Sequence, residues 1–283
     1  MYHFDVAIIG GDFRQSYMIP YLTEKGYTVI CYGVPNIPED VSCDYAKSLK
    51  EAVENADIVV GGLPFSKGET ICSNRILPDL QISVLCDYLK PHQKLFGGVL
   101  PRQVRDYCDK NQIACYDFIE DEALTIFNAI ATAEGTILEA ILHQPSNLHG
   151  SKSLVLGYGK CGRVLADKLK GLSAEVTVCA RSKEAQAFAN AAGMRSLPFE
   201  ALTEEIKTYE YIFNSIPEAV LTKEILKNVQ KNALIIDIAS GGGVDFAAAR
   251  ELGIQARLCP GLPGKYAPRI SAGELVRFLA SHK

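Results

Sequence analysis

Short runs of apolar, largely β-branched residues punctuate the chain: FDVAIIG, YTVICYG, ADIVVGG, KLFGGVL and IACYDF in the first part, then SLVLGYG, AEVTVCA, YIFNSIP, ALIIDIA and IQARLCP. Runs of this length, nearly continuous in hydrophobicity and closed by glycine or other turn residues, predict strands covered on both faces. Between most of them the apolar positions change to helical spacing, as in RQSYMIPYLTEKG and GRVLADKLKGLSA. Repetition of strand, helix and strand predicts parallel sheets with helices on both sides, an α/β architecture of the doubly wound, Rossmann-like kind.

The pattern breaks once. DEALTIFNAIATAEGTILEAILHQ, residues 121–144, reads as one long apolar helix, and the turn-rich PSNLHGSK follows it. A domain boundary inside that helix divides the chain into an N-terminal substrate and catalytic domain, residues 1–127, and a dinucleotide-binding domain, residues 128–283. After the loop PGLPGKYAPR a last helix, within residues 269–283, is expected to return to the first domain. Two such crossings predict a cleft between two doubly wound sheets, a usual place for a cofactor to meet its substrate.

Composition supports two cores, since 283 residues with 48% hydrophobic content can bury two medium ones. The net charge of −4, with no dense Lys/Arg cluster, removes nucleic acid and anionic membranes from the expected partners. Nine cysteines without a C-x-x-C pair suit reduced thiols, and five histidines at no metal spacing leave a metal site unsupported. The start of the chain carries no basic leader, and runs such as ALIIDIA are too short to cross a bilayer, so the expected location is cytoplasmic.

GYGKCG, residues 157–162, is the most informative stretch. It follows the strand SLVL and opens a helix, in the G-x-G-x-x-G spacing that binds dinucleotides. Gly157 permits the tight turn, Gly159 lets the backbone approach a pyrophosphate, and Gly162 lets helix and strand pack closely. Tyr158, Lys160 and Cys161 complete this turn, and the helix start offers unpaired N–H groups to phosphates. About twenty residues on, where an acidic residue would serve the ribose of NAD, stands TVCARS. Arg181, with Ser182 and Lys183, suits a 2′-phosphate instead, which predicts NADP, with NAD as the alternative. A solvated Arg-Ser-Lys turn would show the same residues.

Further ligands are expected at the carboxyl ends of later strands: Asn214, Ser215, Ile216 and Pro217 after YIF, and Ala239 and Ser240 after IDI. Asn214 and its neighbouring backbone are placed for the nicotinamide ribose, although an Asn-stabilised turn explains the same pattern. In the first domain GGDFRQ lacks the third spaced glycine and is read as a turn exposing Asp12 and Arg14. Arg14, Ser66 and Lys67 are candidates to hold a carboxylate-bearing ligand, joined by Thr132 and Thr136, one turn apart on the linking helix, and by Lys265 of the late loop, where Tyr266 adjoins it. No histidine has an evident carboxylate partner in sequence. A reaction whose product gains aromatic stabilisation needs mainly alignment against the nicotinamide.

Taken in order, GGDFRQ, LPFSKGE, NAIATAEGTI, HGSKSLVLGYGKCGRVLA, TVCARS, FNSIP, IDIAS and PGLPGKYAP resemble the A subunit of bacterial dipicolinate synthase over nearly the whole chain. The resemblance implies an oxidoreductase of endospore formation in the mother-cell cytoplasm. It converts a dihydrodipicolinate from the lysine pathway to pyridine-2,6-dicarboxylate with a nicotinamide cofactor, and works with a flavoprotein-like B subunit. Homo-oligomers are also expected. If the incoming compound still carries its 4-hydroxyl, Glu134 is the candidate for the proton transfer that accompanies loss of water. Residues 239–246, ASGGGVDF, depart from the expected pattern by being shorter and richer in glycine. Two alternatives remain on the residues alone: a dehydrogenase of the alanine or 2-hydroxy acid type, and a non-catalytic NADP-binding scaffold protein.

Overall fold

Why the runs become strands is plain in their burial: Val6 to Ile9, Leu154 to Leu156 and Leu234 to Ile236 are all inaccessible to solvent. The computed structural model describes residues 3–35, 41 and 43–282; residues 1, 2, 36–40, 42 and 283, which include both ends of the expected domains, lie outside the described residues. The chain divides into two compact units, residues 1–127 with 267–283, and residues 128–266.

The first unit contains β1 (Phe4–Ile9), α1 (Phe13–Glu24), β2 (Val29–Tyr32), β3 (Asp44–Tyr45), α2 (Leu49–Glu54) and β4 (Ala56–Val60). Next come a short hairpin of β5 (Ser66–Lys67) and β6 (Thr70–Ile71), then α3 (Ile82–Tyr88), β7 (Lys94–Gly97), α4 (Arg102–Lys110) and β8 (Ala114–Asp117). Its six-stranded sheet has the order β3-β2-β1-β4-β7-β8, and every pairing is parallel. The order therefore reverses between β1 and β4.

Helix α5 (Glu122–His143) begins in this unit and continues into the second. The second unit runs through β9 (Lys152–Leu156), α6 (Lys160–Gly171), β10 (Glu175–Cys179), α7 (Lys183–Ala191), β11 (Arg195–Leu197), α8 (Leu202–Glu205) and β12 (Tyr211–Asn214). It closes with α9 (Lys223–Leu226), β13 (Leu234–Asp237), α10 (Phe246–Glu251), β14 (Gln255–Leu258) and α11 (Leu262–Tyr266). The sheet order β11-β10-β9-β12-β13-β14, again parallel throughout, reverses between β9 and β12. Both units are thus doubly wound Rossmann-like sheets, as the strand-helix periodicity predicts.

Helix α12 (Pro268–Ser281) belongs to the first unit, where Ala272, Leu275, Val276 and Leu279 share a core with Met18, Ile19 and Leu22 of α1. One expectation needs correction. Helix α5 is long and apolar enough to meet the length and composition test for a membrane span, whereas the apolar runs of the sequence predict none of that size. Half of that stretch is buried in the protein, and two of its carboxylates are paired: Glu134 accepts from Lys168, and the buried Glu139 from Lys265 and Tyr266. These contacts mark a core helix of a folded unit rather than a lipid-facing one.

Candidate functional site: the glycine turn and the strand ends around it

The turn after β9 is built by three glycines with different duties. Gly157 has φ +90°, which an L side chain rarely adopts, and a Cβ there would lie 2.7 Å from Ser215 Oγ. Around Gly159 a Cβ would meet nothing within 4 Å, so its backbone stays open to a large ligand. At Gly162 a Cβ would lie 2.3 Å from the carbonyl oxygen of Gly157, so only glycine lets α6 start this close to β9. Gly159 is the N-cap of α6 and gives the helix no side-chain cap, so the positive end of the helix is suited to an anion. The turn is stiffened by Arg163, whose Nε donates to Tyr158 O at 3.0 Å and whose guanidinium lies over the rings of Tyr158 and Phe188. Burial pushes the Cys161 thiol up, partly offset by a hydrogen bond with Thr132. These residues fit the pyrophosphate of a nicotinamide dinucleotide.

The cationic end of β10 is arranged differently from the sequence expectation. Arg181 is 63% exposed and forms an ion pair with Glu218, in the loop after β12, while its guanidinium lies 5.9 Å from the Phe199 ring centre. Ser182 caps α7, its hydroxyl accepting from Ala185 N at 3.1 Å, and Lys183 is exposed at the first position of that helix. The hydroxyl of Ser182 keeps a lone pair and a proton beyond the cap bond.

Asn214 corrects a second expectation. It is fully buried, and its amide donates to Asp237 Oδ1 at 2.9 Å and to Ile216 O at 3.0 Å, while its oxygen accepts from Ile216 N. With both amide hydrogens taken and no exposed surface, Asn214 is a clamp between the ends of β12 and β13. Asp237, also buried, completes the clamp by accepting from Ala239 N and, at 2.6 Å, from Gly243 N. Ala239 is therefore engaged through its N–H and Ser215 through its hydroxyl, which donates to Leu156 O. Ile216 is half-buried; Pro217 and Ser240 are exposed beside them. The glycine-rich loop has a reason here: Gly241 and Gly242 take φ +89° and +82°, and a Cβ on Gly243 would lie 2.4 Å from Asn214 Nδ2. The loops after β12 and β13 are thus fastened into one piece.

The other sequence-predicted residues are scattered in role. Glu134 is 59% exposed and accepts from Lys168 Nζ at 2.9 Å. Lys168 lies roughly 12 Å along α6 from the glycine turn, at about 1.5 Å of rise per residue, so Glu134 is tied to the body of that helix and not to its start. Thr136 has no exposed surface and donates to Thr132 O, which excludes it as a ligand group; Thr132, also buried, donates to Asn128 O and faces Cys161. Lys265 is spent on the buried Glu139, donating at 2.6 Å beside the Tyr266 hydroxyl, also at 2.6 Å. The hydrogen bonds to Glu139 and Tyr266 push Lys265 up to about 12. In the first unit, Arg14 is buried rather than exposed, forking onto Asp12, which caps α1, and donating to Leu63 O. Ser66 is half-buried and Lys67 exposed, both in the β5–β6 hairpin.

Two histidines do have carboxylate partners that sequence reading missed. His143 Nδ1 lies 3.4 Å from Glu139 Oε2, one helical turn earlier, a spacing the i,i+4 rule could have found. His3 Nε2 lies 2.8 Å from Asp57 Oδ1, but these residues sit at the starts of β1 and β4, the edge opposite the ligand-bearing strand ends.

A doubly wound unit carrying an open glycine turn defines a nicotinamide-dinucleotide oxidoreductase. Residues 129–252 match the model of the D-isomer specific 2-hydroxyacid dehydrogenase NAD binding domain, and residues 5–119 match that of the N-terminal domain of the dipicolinate synthase A subunit. The chain belongs to the family of dipicolinate synthase A subunits: it is 30% identical over 276 residues to the A subunit of dipicolinate synthase from Bacillus subtilis (strain 168), covering 96% of this chain and 92% of that one. The crystal structure of the dipicolinate synthase A subunit from Bacillus halodurans superposes with a TM-score of 0.85 at 27% identity, covering 98% and 96% of the two chains. That of the Bacillus subtilis protein gives 0.83 at 28%, covering 100% and 96%. The chain is accordingly an NAD(P)-dependent oxidoreductase.

Proposed function

We propose that this chain oxidises a dihydrodipicolinate to pyridine-2,6-dicarboxylate with NADP, in the cytoplasm of a sporulating mother cell, together with a flavoprotein B subunit. The observation that carries the reading is end-to-end identity with a dipicolinate synthase A subunit, 30% over 96% of this chain, joined to an open dinucleotide turn. A dinucleotide held by Gly157, Gly159 and Gly162 would supply the acceptor for the hydride that leaves a ring carbon of the substrate, the ring losing a proton as well. Aromatisation supplies driving force, so the chain's main task is alignment. Gly157, Gly159 and Gly162 seat the pyrophosphate at the start of α6. The Asn214–Asp237 clamp fixes the two loops that flank it. Arg181 and Lys183 supply charge, and Ser182 a hydroxyl, toward the 2′-phosphate of adenosine.

The test supplies the full chain, with and without the flavoprotein, with enzymatically generated dihydrodipicolinate and either NADP or NAD. The expected result is growth of pyridine absorbance in step with NADPH. No product under any of these conditions refutes the assignment, and equal use of both dinucleotides refutes the choice of NADP. One observation favours a second reading, a dinucleotide-binding protein that leaves chemistry to its partner: Glu134, the acid–base candidate, is ion-paired with Lys168, roughly 12 Å along α6 from the glycine turn. NADP binding by the isolated chain with turnover only in the complex would select it. A dehydrogenase of the 2-hydroxy acid or alanine type would instead turn over lactate or alanine.

A further inference from the structure

The first unit holds a cavity of about 710 Å³ at the reversal of its strand order. Its walls come from the end of β1 (Gly11, Asp12), the segment after β4 (Leu63, Pro64), the β5–β6 hairpin and residues 72–81. In doubly wound sheets the crevice outside the strand ends at such a reversal is where ligands bind. The cavity is held open by its own hydrogen bonds: Gly11 N donates to Cys72 O at 2.6 Å, Ser73 Oγ to Gly33 O at 2.7 Å, Leu49 N to Asp79 Oδ2 at 2.8 Å, and Tyr32 Oη to Asp79 Oδ1.

Its charges are the informative part. Among the described residues Asp12 is the one acidic side chain on the wall, and Arg14 already neutralises it through a forked contact from outside the cavity. Lys67 and Arg75 also line the cavity, both exposed, and neither is paired with a carboxylate among the described residues. Two cations without a carboxylate partner among the described residues therefore face a space whose remaining walls include Leu63, Pro64, Ile71, Leu77 and Leu80. A planar body with two separated anionic groups suits such walls: apolar surface against the ring, a cation for each charge.

We infer that this cavity is the binding site for a small aromatic or dihydroaromatic dicarboxylate, with Lys67 and Arg75 each holding one carboxylate. The inference rests on the proposed function for the identity of the ring, and on the cavity alone for the class of ligand. It takes the carboxylate-binding role from Arg14, whose guanidinium is closed in on Asp12, and gives it to Arg75, which no sequence motif marks.

The test titrates dipicolinate by calorimetry into the full chain saturated with NADP, as wild type, Lys67→Gln and Arg75→Gln. Picolinate, glutarate and inorganic phosphate serve as comparison ligands. Both side chains are exposed, so the variants are expected to melt like wild type. Each should weaken dipicolinate at least about tenfold, the loss of one charge-assisted contact. Picolinate, with one carboxylate, should bind more weakly than dipicolinate and lose less in at least one of the variants. Dipicolinate should also slow alkylation of Cys72, which lines the same cavity, read by peptide mass spectrometry. Unchanged dipicolinate affinity in both variants overturns the site while leaving the proposed reaction intact. Glutarate binding that depends on Lys67 and Arg75, with no dipicolinate binding, upholds the site and removes the ring assignment. Phosphate binding as tight as dipicolinate, or no binding of any ligand, overturns the inference.

Discussion

Gly162→Ala tests the glycine turn without touching any charged group. A Cβ at this position would lie 2.3 Å from Gly157 O and 3.0 Å from Gly157 C, where ordinary contact begins near 3.4 Å. Both obstructing atoms are backbone, so relief of about 1 Å must come from moving the first turn of α6 or the strand end. Overpacking of this kind costs about 1–3 kcal/mol, and the helix propensity of alanine returns up to about 1 kcal/mol. The net is a loss of about 1–2 kcal/mol, or roughly 3–8 °C for a unit of this size. Gly171→Ala, in the same helix, is the control, since a Cβ there meets nothing within 4 Å; it should be neutral or stabilise by up to about 1 kcal/mol. Thermal melts without cofactor give both signs, and titration of NADPH fluorescence gives the functional arm, where Gly162→Ala should weaken binding at least about tenfold and Gly171→Ala should not. A Gly162→Ala protein as stable as wild type that binds NADPH normally would refute the close-packing argument.

Other substitutions probe the remaining contacts. Arg181→Ala should weaken NADP by about one to two decades and NAD little, while Glu218→Gln, which frees the guanidinium, should tighten NADP alone; equal effects on both dinucleotides in a fluorescence titration would contradict the phosphate role. Asn214→Ala strips the buried clamp of two donors and an acceptor, so urea melts should show a loss of about 2–3 kcal/mol. Burial alone would raise the Glu139 carboxyl, but hydrogen bonds from Lys265 and Tyr266 and the charges of Lys265 and His143 outweigh it and hold it below the usual range. A depressed carboxyl stabilises the fold above its unfolded pKa, about 4.3, and that stabilisation is lost as pH falls through the folded value. Glu139→Gln should therefore cost about 1–2 kcal/mol at pH 7, with the gap to wild type closing below about pH 4; a constant gap would assign the cost to packing. The raised Lys265 contributes below its unfolded pKa and loses that only toward pH 12, so it leaves the acid limb unchanged.

What the sequence made legible follows from how local each signal is. The inner strands announce themselves because burial on both faces makes each a nearly continuous apolar run, whereas the edge strands β8 and β14 are only partly covered, and the three spaced glycines state their own geometry. Strands β3 and β11 and the β5–β6 hairpin, of two or three residues each, are too short to show alternation, so their positions come only from pairing. Side-chain roles were the least legible. Arg14, Asn214 and Lys265 have the chemistry of ligand-binding groups, but each has a partner inside the protein that decides its fate: Asp12 at i−2, Asp237 twenty-three residues on, and Glu139 on another helix. Nothing in a single sequence distinguishes a cation awaiting an anion from one already holding a carboxylate.

The same logic explains why two sheets of one topology carry a single dinucleotide turn. Each has glycine at the end of its first strand, with Gly10 at φ +58° and Gly157 at φ +90°. In the second unit the turn continues into Gly159, whose surroundings are empty, and a pyrophosphate has room and the positive end of a helix to meet. At the corresponding place in the first unit the protein supplies its own occupant: Gly11 N donates to Cys72 O, and a Cβ on Gly10 would lie 2.4 Å from that oxygen. Asp12 then caps α1 with its carboxylate, so the helix start that would attract a phosphate is already satisfied by a negative group. Residues 72–81 thus plug a phosphate seat and, in doing so, wall off the cavity that Lys67 and Arg75 line. Clearing the seat by shortening that segment should therefore not create a second dinucleotide site, because Asp12 would still face the incoming phosphate; it should remove the cavity and the dicarboxylate binding with it, leaving NADPH binding at one equivalent per chain. A second equivalent in that deletion variant would show that the plug alone, and not the capping carboxylate, keeps the first turn from binding phosphate.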